Sequence, residues 1–282
     1  MNTSPDNAVS RYYDHLTDWY RLFYSPGGMH YGYWTPSTRT LGQALRNHKA
    51  LICRALALEG HSHLLDAGCG HGSTAVHMAA QTGCQVTGIT LSPRQVTIAT
   101  TRARRMGLDE RLSFRVGDYS RTGLPERGFT HVCAVESVCH ARQPELFLDE
   151  AARLLCPGGR LVVADFFREA PVEAFSQAQW QLYEQVRQGF VLPGFAWRRD
   201  FVGMAGQRGL ELREDRDLSA AVAPTARCIR RRARLAMPFG VLLHYLRLAP
   251  PELLAHLRSC LVQPRALEML GSYRLLVFDR RH

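Results

Sequence analysis

The residues with the clearest chemical meaning lie in segment 64–72, LLDAGCGHG, where an apolar strand runs into a glycine-rich turn. Glycine lets the backbone turn tightly and approach a ligand closely, and the helix predicted from Ser73 points its N-terminal N–H groups at that turn. Asp66 stands two positions before Gly68, where its carboxylate could pair with a cationic amino group. Such a loop alone is ambiguous, because dinucleotide-binding enzymes use a related one.

Two later strand ends also carry residues that can bind a ligand or move a proton. Asp118 follows the third predicted strand, and its carboxylate could accept a hydrogen bond from an adenine amino group. Glu136 and His140 follow the fourth strand, in segment 136–141, ESVCHA. His140 is a candidate general base because imidazole titrates near neutral pH, while Glu136 could orient a ligand or stabilise a cation. The alternative for His140 is a purely structural histidine.

The elements that must position these residues alternate between strand and helix from residue 63 onward. This alternation favours a parallel sheet with right-handed crossovers. Strands are predicted at 63–66, 85–89, 112–116, 130–135, 160–165, 211–217 and 273–279, the last two closing the sheet as a hairpin-like pair. The sequence therefore predicts an α/β fold with a Rossmann-like, doubly wound sheet of seven mostly parallel strands and a helical cap.

The cap is predicted from helical segments that interrupt this pattern and lie over the carboxyl edge of the sheet, where such folds bind ligands. Near the N-terminus, Tyr13, Leu16, Tyr20 and Tyr24 recur at helical spacing. The expected divisions are a helical lid (1–60), a cofactor-binding core (61–168), a cap insertion (169–198), a core helix and strand (199–220), a second cap (221–270) and a last core strand (271–282).

The charge balance is basic, since 35 Lys and Arg residues face 25 Asp and Glu residues, a formal net charge of +10. Such a charge suits nucleic acid, a membrane surface or a phosphorylated substrate. No nucleic-acid-binding motif accompanies it, so nucleic acid is not expected as a partner. The one dense run, Arg227, Arg230, Arg231, Arg232 and Arg234, is either a solvated helix face or an anion pocket, for example for a diphosphate.

Other compositional features exclude several classes of protein. The eight cysteines show no CxxC spacing, so no metal site is expected, and a reducing cytoplasm is the expected location. The N-terminal residues lack the pattern of a signal peptide, and no run approaches the ~20 apolar residues that a membrane span needs. A homodimer is compatible with the sequence.

Four segments taken together resemble a known family: DAGCGHG (66–72), VTGITLSPRQ (86–95), ESVCHA (136–141) and LLCPGGRLVVADFF (154–167). They are similar to class I methyltransferases of the ubiquinone/menaquinone, tocopherol, cyclopropane-fatty-acid and sterol C-methyltransferase group. The resemblance covers residues 10–165 well and the cap poorly. It implies S-adenosylmethionine as the cofactor and a small molecule as the substrate.

The resemblance also implies where the cofactor binds. Asp66, Gly68 and Gly70 would surround its methionine part, and Asp118 with its neighbour Tyr119 would lie near the adenine. Each of these, taken alone, could instead be an ordinary turn residue.

One segment departs from the common pattern of the group. Many relatives carry an acidic residue at the end of the second strand for the ribose hydroxyls, and this chain has none there. Cyclopropane-synthase-like members use a T-L-S-x-x-Q segment, which places Thr90 and Gln95 at the ribose, since both side chains can bond hydroxyls without a charge. Tyr13 resembles an N-terminal tyrosine that closes over the cofactor in this group, and core packing is its alternative.

The substrate is expected at segment 136–141, whose E-x-x-C-H-A string resembles the sterol 24-C-methyltransferase motif and should face the transferable methyl group. Asp165 matches an acidic position of sugar O-methyltransferases from natural-product pathways. An aromatic cluster lies where the lid should meet the site, and filling of the cap core is its alternative. The residues expected to contact substrate are His30, Tyr31, Tyr33, Trp34, Asp165, Arg230 and Arg231.

The chemistry that these residues favour is C-methylation of an isoprenoid-like alkene, with a prenyl diphosphate as one such substrate. Methylating an alkene leaves a carbocation, which needs aromatic faces, a carboxylate and a dry site. The alternative is O- or N-methylation of another natural product, which needs alignment and, for a hydroxyl, a base. A nucleic-acid methyltransferase is disfavoured, because Glu136-Ser137 replaces N/D-P-P-Y/F, and the intact loop at 66–72 argues against a non-catalytic protein.

Overall fold

A computed structural model describes residues 5–23 and 27–281 and shows one seven-stranded sheet surrounded by helices. The strands are β1 (His63–Ala67), β2 (Gln85–Thr90), β3 (Leu112–Val116), β4 (Phe129–Val135), β5 (Leu155–Arg168), β6 (Leu210–Asp217) and β7 (Gly271–Arg280). Their order is β3-β2-β1-β4-β5-β7-β6. Strands β1 to β5 pair in parallel, and β7 runs antiparallel to both β5 and β6. The predicted α/β fold is confirmed.

Local capping residues mark the start of some of the helices. Thr40 accepts the Gln43 backbone N–H in a capping box, and the Ser92 side chain accepts the Gln95 backbone N–H at the start of another helix. The helices are α1 (Pro5–Phe23), α2 (Leu41–Leu56), α3 (Ser73–Thr82), α4 (Pro93–Arg105), α5 (Pro144–Leu154), α6 (Gln177–Gly189), α7 (Arg198–Gln207), α8 (Ser219–Tyr245) and α9 (Leu253–Met269). Tyr24 lies outside the described residues.

The fifth strand differs from the prediction. It was expected to begin at residue 160, after a Pro-Gly-Gly turn, but β5 begins at Leu155 and includes that turn. The pairing of β5 with β4 changes register there, and Gly158 adopts a φ of +76°. The turn is therefore a bulge within the strand rather than a boundary before it.

Helices pack on both faces of the sheet, as a doubly wound sheet requires. Adjacent residues of β1 point to opposite faces, so Leu64 packs in the cluster that contains Ile52 of α2, and Leu65 packs in the cluster that contains Phe147 of α5. All four side chains are buried. The rigid core that results fixes the strand ends at one edge of the sheet.

Helices α1, α6, α8 and α9 form the cap at that edge. Tyr12 and Leu16 of α1 pack with Ile229 of α8 and Leu257 of α9. A further cluster joins α6 to α9. Among the residues that the structure describes, no helix combines the length and hydropathy that crossing a bilayer requires.

Candidate active site

The loops after β1 and β4 meet in a close contact at the carboxyl edge of the sheet. The chain turns at Gly68 with a φ of +89°, and the Gly68 N–H donates to the Ile89 carbonyl oxygen at 2.9 Å. Ser137 donates its hydroxyl to the Ala67 carbonyl oxygen at 2.6 Å. A Cβ at position 68 would lie 2.4 Å from the Ser137 Cβ, so both the backbone angle and the space require glycine.

A cavity of about 280 Å³, which we call the bend cavity, lies against this contact. It draws its walls from the ends of β1, β2, β3 and β4 and from α1. The predicted cofactor-binding residues all line it: Tyr13, Asp66, Gly68, Gly70, Thr90, Gln95, Asp118 and Tyr119.

Oδ2 of Asp66 and Nε2 of Gln95 are buried polar atoms of this cavity that have no hydrogen-bond partner among the described residues. Burial raises the pKa of the Asp66 carboxyl to about 7. Thr90 donates its hydroxyl to Oε1 of Gln95 at 2.6 Å, which leaves the amide nitrogen as the unpaired end. An unpaired buried polar atom is costly, so both groups are suited to a ligand.

A second cavity of about 110 Å³, which we call the apolar chamber, lies next to the first. Tyr13, His30, Glu136 and His140 line both cavities and so mark their junction. The other walls of the chamber are mostly apolar and include Phe166, Val186, Phe190, Leu192, Phe195 and Leu267. Within the described part of the chain, no lysine or arginine lines it.

Glu136 is held rigidly at the junction. Its backbone adopts a left-handed φ of +49°, which is uncommon for a residue other than glycine. Its Oε1 accepts the Tyr31 backbone N–H at 2.5 Å and the Tyr273 hydroxyl at 2.9 Å. Burial raises the pKa of the Glu136 carboxyl to about 8, so most of it is protonated at neutral pH.

His140 ends a short 3-10 turn, Val138–His140, and contacts the lid. Its Nε2 and the Tyr13 hydroxyl oxygen are 2.8 Å apart, and the two rings meet edge to face. Burial lowers the pKa of His140 to about 4 and raises that of Tyr13 well above its usual range. At neutral pH the imidazole is therefore neutral and the phenol keeps its proton.

Asp165 lies at the end of the β5 segment that faces the chamber. Its two carboxyl oxygens accept the backbone N–H groups of Cys139 and Phe166, at 3.0 and 2.8 Å. Burial raises the pKa of Asp165 to about 6. These bonds hold the 3-10 turn that carries His140 against the sheet.

Two of the aromatic residues predicted to contact substrate do not reach either cavity. The Trp34 indole N–H donates to the Thr225 hydroxyl at 2.9 Å, which ties this residue to α8. Tyr33 packs against the core cluster that contains α2. Tyr33 and Trp34 therefore lie away from the cavities, since their backbone N–H groups bond to α2 and α8, whereas His30 and Tyr31 line the chamber.

The structure also does not bring Arg230 and Arg231, which are predicted to contact substrate, to either cavity. Both are exposed on α8 and line neither cavity. On this helix Ile229 and Ala233 point inward, and the arginines between them are rotated outward by the 3.6-residue period.

Several functional neighbours were missed by sequence reasoning. Tyr273 donates to Glu136 and also contacts Nε2 of His48 at 3.2 Å. Phe190 and Phe195 were assigned to the cap only in general terms. In the sequence, these three residues are distinguished only by their aromatic side chains. Many other residues of the cap and strands share that feature, so it does not identify a site.

The comparisons with known proteins agree with this geometry. A family model described as a methyltransferase domain matches residues 65–163. The chain is 30% identical over 225 residues to 27-O-demethylrifamycin SV methyltransferase from Amycolatopsis mediterranei (strain S699), covering 80% of this chain and 81% of that protein. This chain belongs to the S-adenosylmethionine-dependent small-molecule methyltransferases. The resemblance seen in the sequence is confirmed, and with it the cofactor.

Two further proteins resemble this methyltransferase. The 24-methylenesterol C-methyltransferase 2 of Oryza sativa subsp. japonica is 27% identical over 211 residues, covering 75% of this chain and 58% of that protein. The geranyl diphosphate C-methyltransferase from Streptomyces coelicolor A3(2), solved with Mg²⁺, geranyl diphosphate and S-adenosyl-L-homocysteine, superposes with a TM-score of 0.75. It is 20% identical and covers 99% of this chain and 98% of that one, which establishes a shared fold.

The contact between Gly68 and Ser137 gives the first testable prediction. Gly68→Ala should lower the free energy of unfolding by about 2–4 kcal/mol, since it adds both left-handed strain and a clash, and cofactor binding should be lost. Gly123→Ala is the matched control, because Gly123 also has a positive φ, of +67°, but open space around it. Equal effects of both variants on thermal unfolding and on calorimetric binding of S-adenosylmethionine would refute the role of this contact.

Proposed function

We propose that this methyltransferase transfers a methyl group to a hydroxyl oxygen of a hydrophobic small molecule. The observation that carries the proposal is a neutral His140, bonded to Tyr13, at the junction of the bend cavity and the apolar chamber. The sequence leaves O- or N-methylation as the alternative to alkene C-methylation, and a base at this position favours the O-methyl reaction.

The bend cavity fits S-adenosylmethionine, which when bound supplies an electrophilic methyl group. The unpaired Oδ2 of Asp66 suits the cofactor's ammonium group, and the unpaired Nε2 of Gln95 suits a ribose hydroxyl oxygen. We assign Gly68 and Gly70 to the methionine part, Thr90 to the ribose, Asp118 and Tyr119 to the adenine side, and Tyr13 to closure over the cofactor.

His140 would take the proton that the substrate hydroxyl loses as its oxygen gains the methyl group. In the tautomer with its proton on Nε2, the ring donates to the Tyr13 oxygen and leaves Nδ1 as a proton acceptor. Nδ1 is buried and has no partner among the described residues. Tyr13 orients the ring, and burial keeps the imidazole neutral and able to accept.

The walls of the apolar chamber define the class of substrate. Aromatic and aliphatic side chains would bind a hydrophobic molecule, whereas no cationic side chain of the described residues is present to neutralise a diphosphate. The rifamycin methyltransferase, which by its name acts on 27-O-demethylrifamycin SV, supports O-methylation of a natural product.

C-methylation of an isoprenoid alkene is the second candidate, and the chamber itself favours it. Phe166, Phe190 and Phe195 offer ring faces, and the Asp165 carboxylate lines the same chamber, a combination that can stabilise a carbocation. The names of the sterol and geranyl diphosphate methyltransferases support this reading. A neutral alkene fits the chamber better than a prenyl diphosphate, because no lysine or arginine of the described residues lines it.

Asp66 gives a prediction about pH. An ammonium group binds the ionised carboxylate, so binding must displace a proton from Asp66 below its pKa of about 7. Cofactor affinity measured by calorimetry should fall by up to about tenfold per unit as the pH drops from 7 to 5.5. Asp66→Asn should bind weakly without this slope, and Asp118→Asn should keep it. A slope that persists in Asp66→Asn would contradict the assignment.

His140 gives a prediction about turnover. His140→Gln should lower kcat on an alcohol substrate by roughly 10²–10⁴-fold while cofactor affinity stays within about twofold, since the residue acts only on the proton. His61→Gln is the control, because His61 is exposed at the opposite edge of the sheet. In the wild type, with S-adenosylmethionine kept saturating at each pH, kcat/KM for the alcohol should stay flat down to about pH 5 and fall only towards pH 4, the region of the His140 pKa. Unchanged turnover in His140→Gln would make this histidine structural.

The two candidate reactions are separated by identifying the product. The purified enzyme would be given S-adenosylmethionine labelled with ¹³C in the methyl group and a panel of hydrophobic alcohols and isoprenoid alkenes. Mass spectrometry and carbon NMR then show whether the labelled carbon is bonded to oxygen, as proposed, or to carbon, which would make the second candidate correct.

A further inference from the structure

The second half of α8 and the residues just after it expose a row of large apolar side chains. Leu235 is 73% exposed, Phe239 69%, Leu242 53% and Leu246 51%. Their spacing of four, three and four residues places them in one stripe along the helix. Tyr245 and Leu248 are exposed beside this stripe. Monomeric proteins rarely expose so many contiguous large apolar side chains without a binding role.

Basic residues occupy the preceding turns of the same helix. Arg227, Arg230, Arg231 and Arg234 are all exposed. Segment 218–251 holds six arginines and no aspartate or glutamate. No ion pair between Arg230, Arg231 or Arg234 and another described residue is seen, so their charges face the surroundings unneutralised.

The apolar stripe and the arginines are exposed because the opposite face of α8 is packed against other helices. Ile229, Ala233 and Ala236 pack against α1 and α9, and Ile229 also lines the apolar chamber. One side of α8 is therefore buried in the core. The apolar stripe lies on the exposed side and does not belong to the core. The first half of α8 thus reaches the chamber through Ile229, and the stripe begins six residues further along the same helix.

We propose that this face of α8 docks on an anionic lipid surface. An exposed apolar stripe beside an arginine cluster is the pattern by which a helix lies in a membrane interface, with apolar side chains inserted and arginines at the headgroups. A second copy of the chain is the other occupant that this face could take, and the adjoining arginine cluster favours an anionic surface over it. The proposal does not depend on which atom of the substrate is methylated.

Docking here would place the apolar chamber close to a store of hydrophobic molecules. Because the proposed substrate is poorly soluble in water, a bilayer is a source that a helix at the chamber wall could reach directly. The arginine run would then bind lipid headgroups and hold the enzyme at the membrane, rather than bind the substrate.

The test is co-sedimentation of the full chain with vesicles of phosphatidylcholine alone and with phosphatidylcholine containing phosphatidylglycerol. Binding is expected only to the anionic vesicles and should weaken as salt is raised. Arg230→Gln with Arg231→Gln should reduce the partition by about 10- to 30-fold, since each arginine near an anionic surface contributes about a fivefold factor. Leu235→Ser with Phe239→Ser should reduce it at least as much.

Matched controls separate this face from general charge and hydrophobicity. Arg104→Gln with Arg105→Gln removes the same charge from exposed positions of α4, and Met106→Ser removes a side chain that is 58% exposed. Both controls should bind vesicles like the wild type, and all variants should bind S-adenosylmethionine normally because the changed residues are exposed.

Three results would overturn the proposal. The first is no binding of the wild type to anionic vesicles, or equal binding to both kinds. The second is wild-type partition of the α8 variants. The third is a dimer in sedimentation velocity that Leu235→Ser with Phe239→Ser dissolves, without vesicle binding, which would assign the face to a second copy.

Discussion

The close contact between the loops after β1 and β4 is the constraint on which the rest of the site depends. Gly68 can approach Ser137 only because it lacks a Cβ, and the Ser137 hydroxyl fixes the distance by its bond to the Ala67 carbonyl. Two parallel strands ending at the same edge make this approach possible. The bend cavity, the left-handed turn at Glu136 and the turn that carries His140 all follow from it.

The burial of ionisable groups is the second consequence of this arrangement. Asp66, Glu136 and Asp165 lie in or directly after the neighbouring strands β1, β4 and β5, and the cap removes them from water, which raises the pKa of each. Their environments nevertheless differ. Asp66 keeps an unpaired oxygen, whereas Glu136 and Asp165 are held by hydrogen bonds within the protein. One carboxylate is thus left for a ligand while the other two organise the junction.

The features that could be predicted from the sequence are those set by residues close to one another in the chain. Strand β3 and helix α3 follow from apolar periodicity and capping. All eight predicted cofactor residues line the bend cavity, from strand ends and the loops after them, from α1 and from the start of α4. The failures concern contacts between distant segments. Trp34 bonds to Thr225, 191 positions away, and Tyr273 bonds to Glu136, 137 positions away. Neither contact can be read from residues that are close in the sequence. The arginines of α8 make a second point, since a dense run of charge does not show which face of its helix is exposed.

A crystal structure of the complex with S-adenosyl-L-homocysteine would show directly how the bend cavity binds the cofactor. We expect the ligand's amino nitrogen about 2.7–3.2 Å from the Asp66 carboxylate, its ribose at the Thr90–Gln95 pair and its sulfur towards the junction at His140. A ligand seated inside the apolar chamber, or one whose amino group lies away from Asp66, would contradict it.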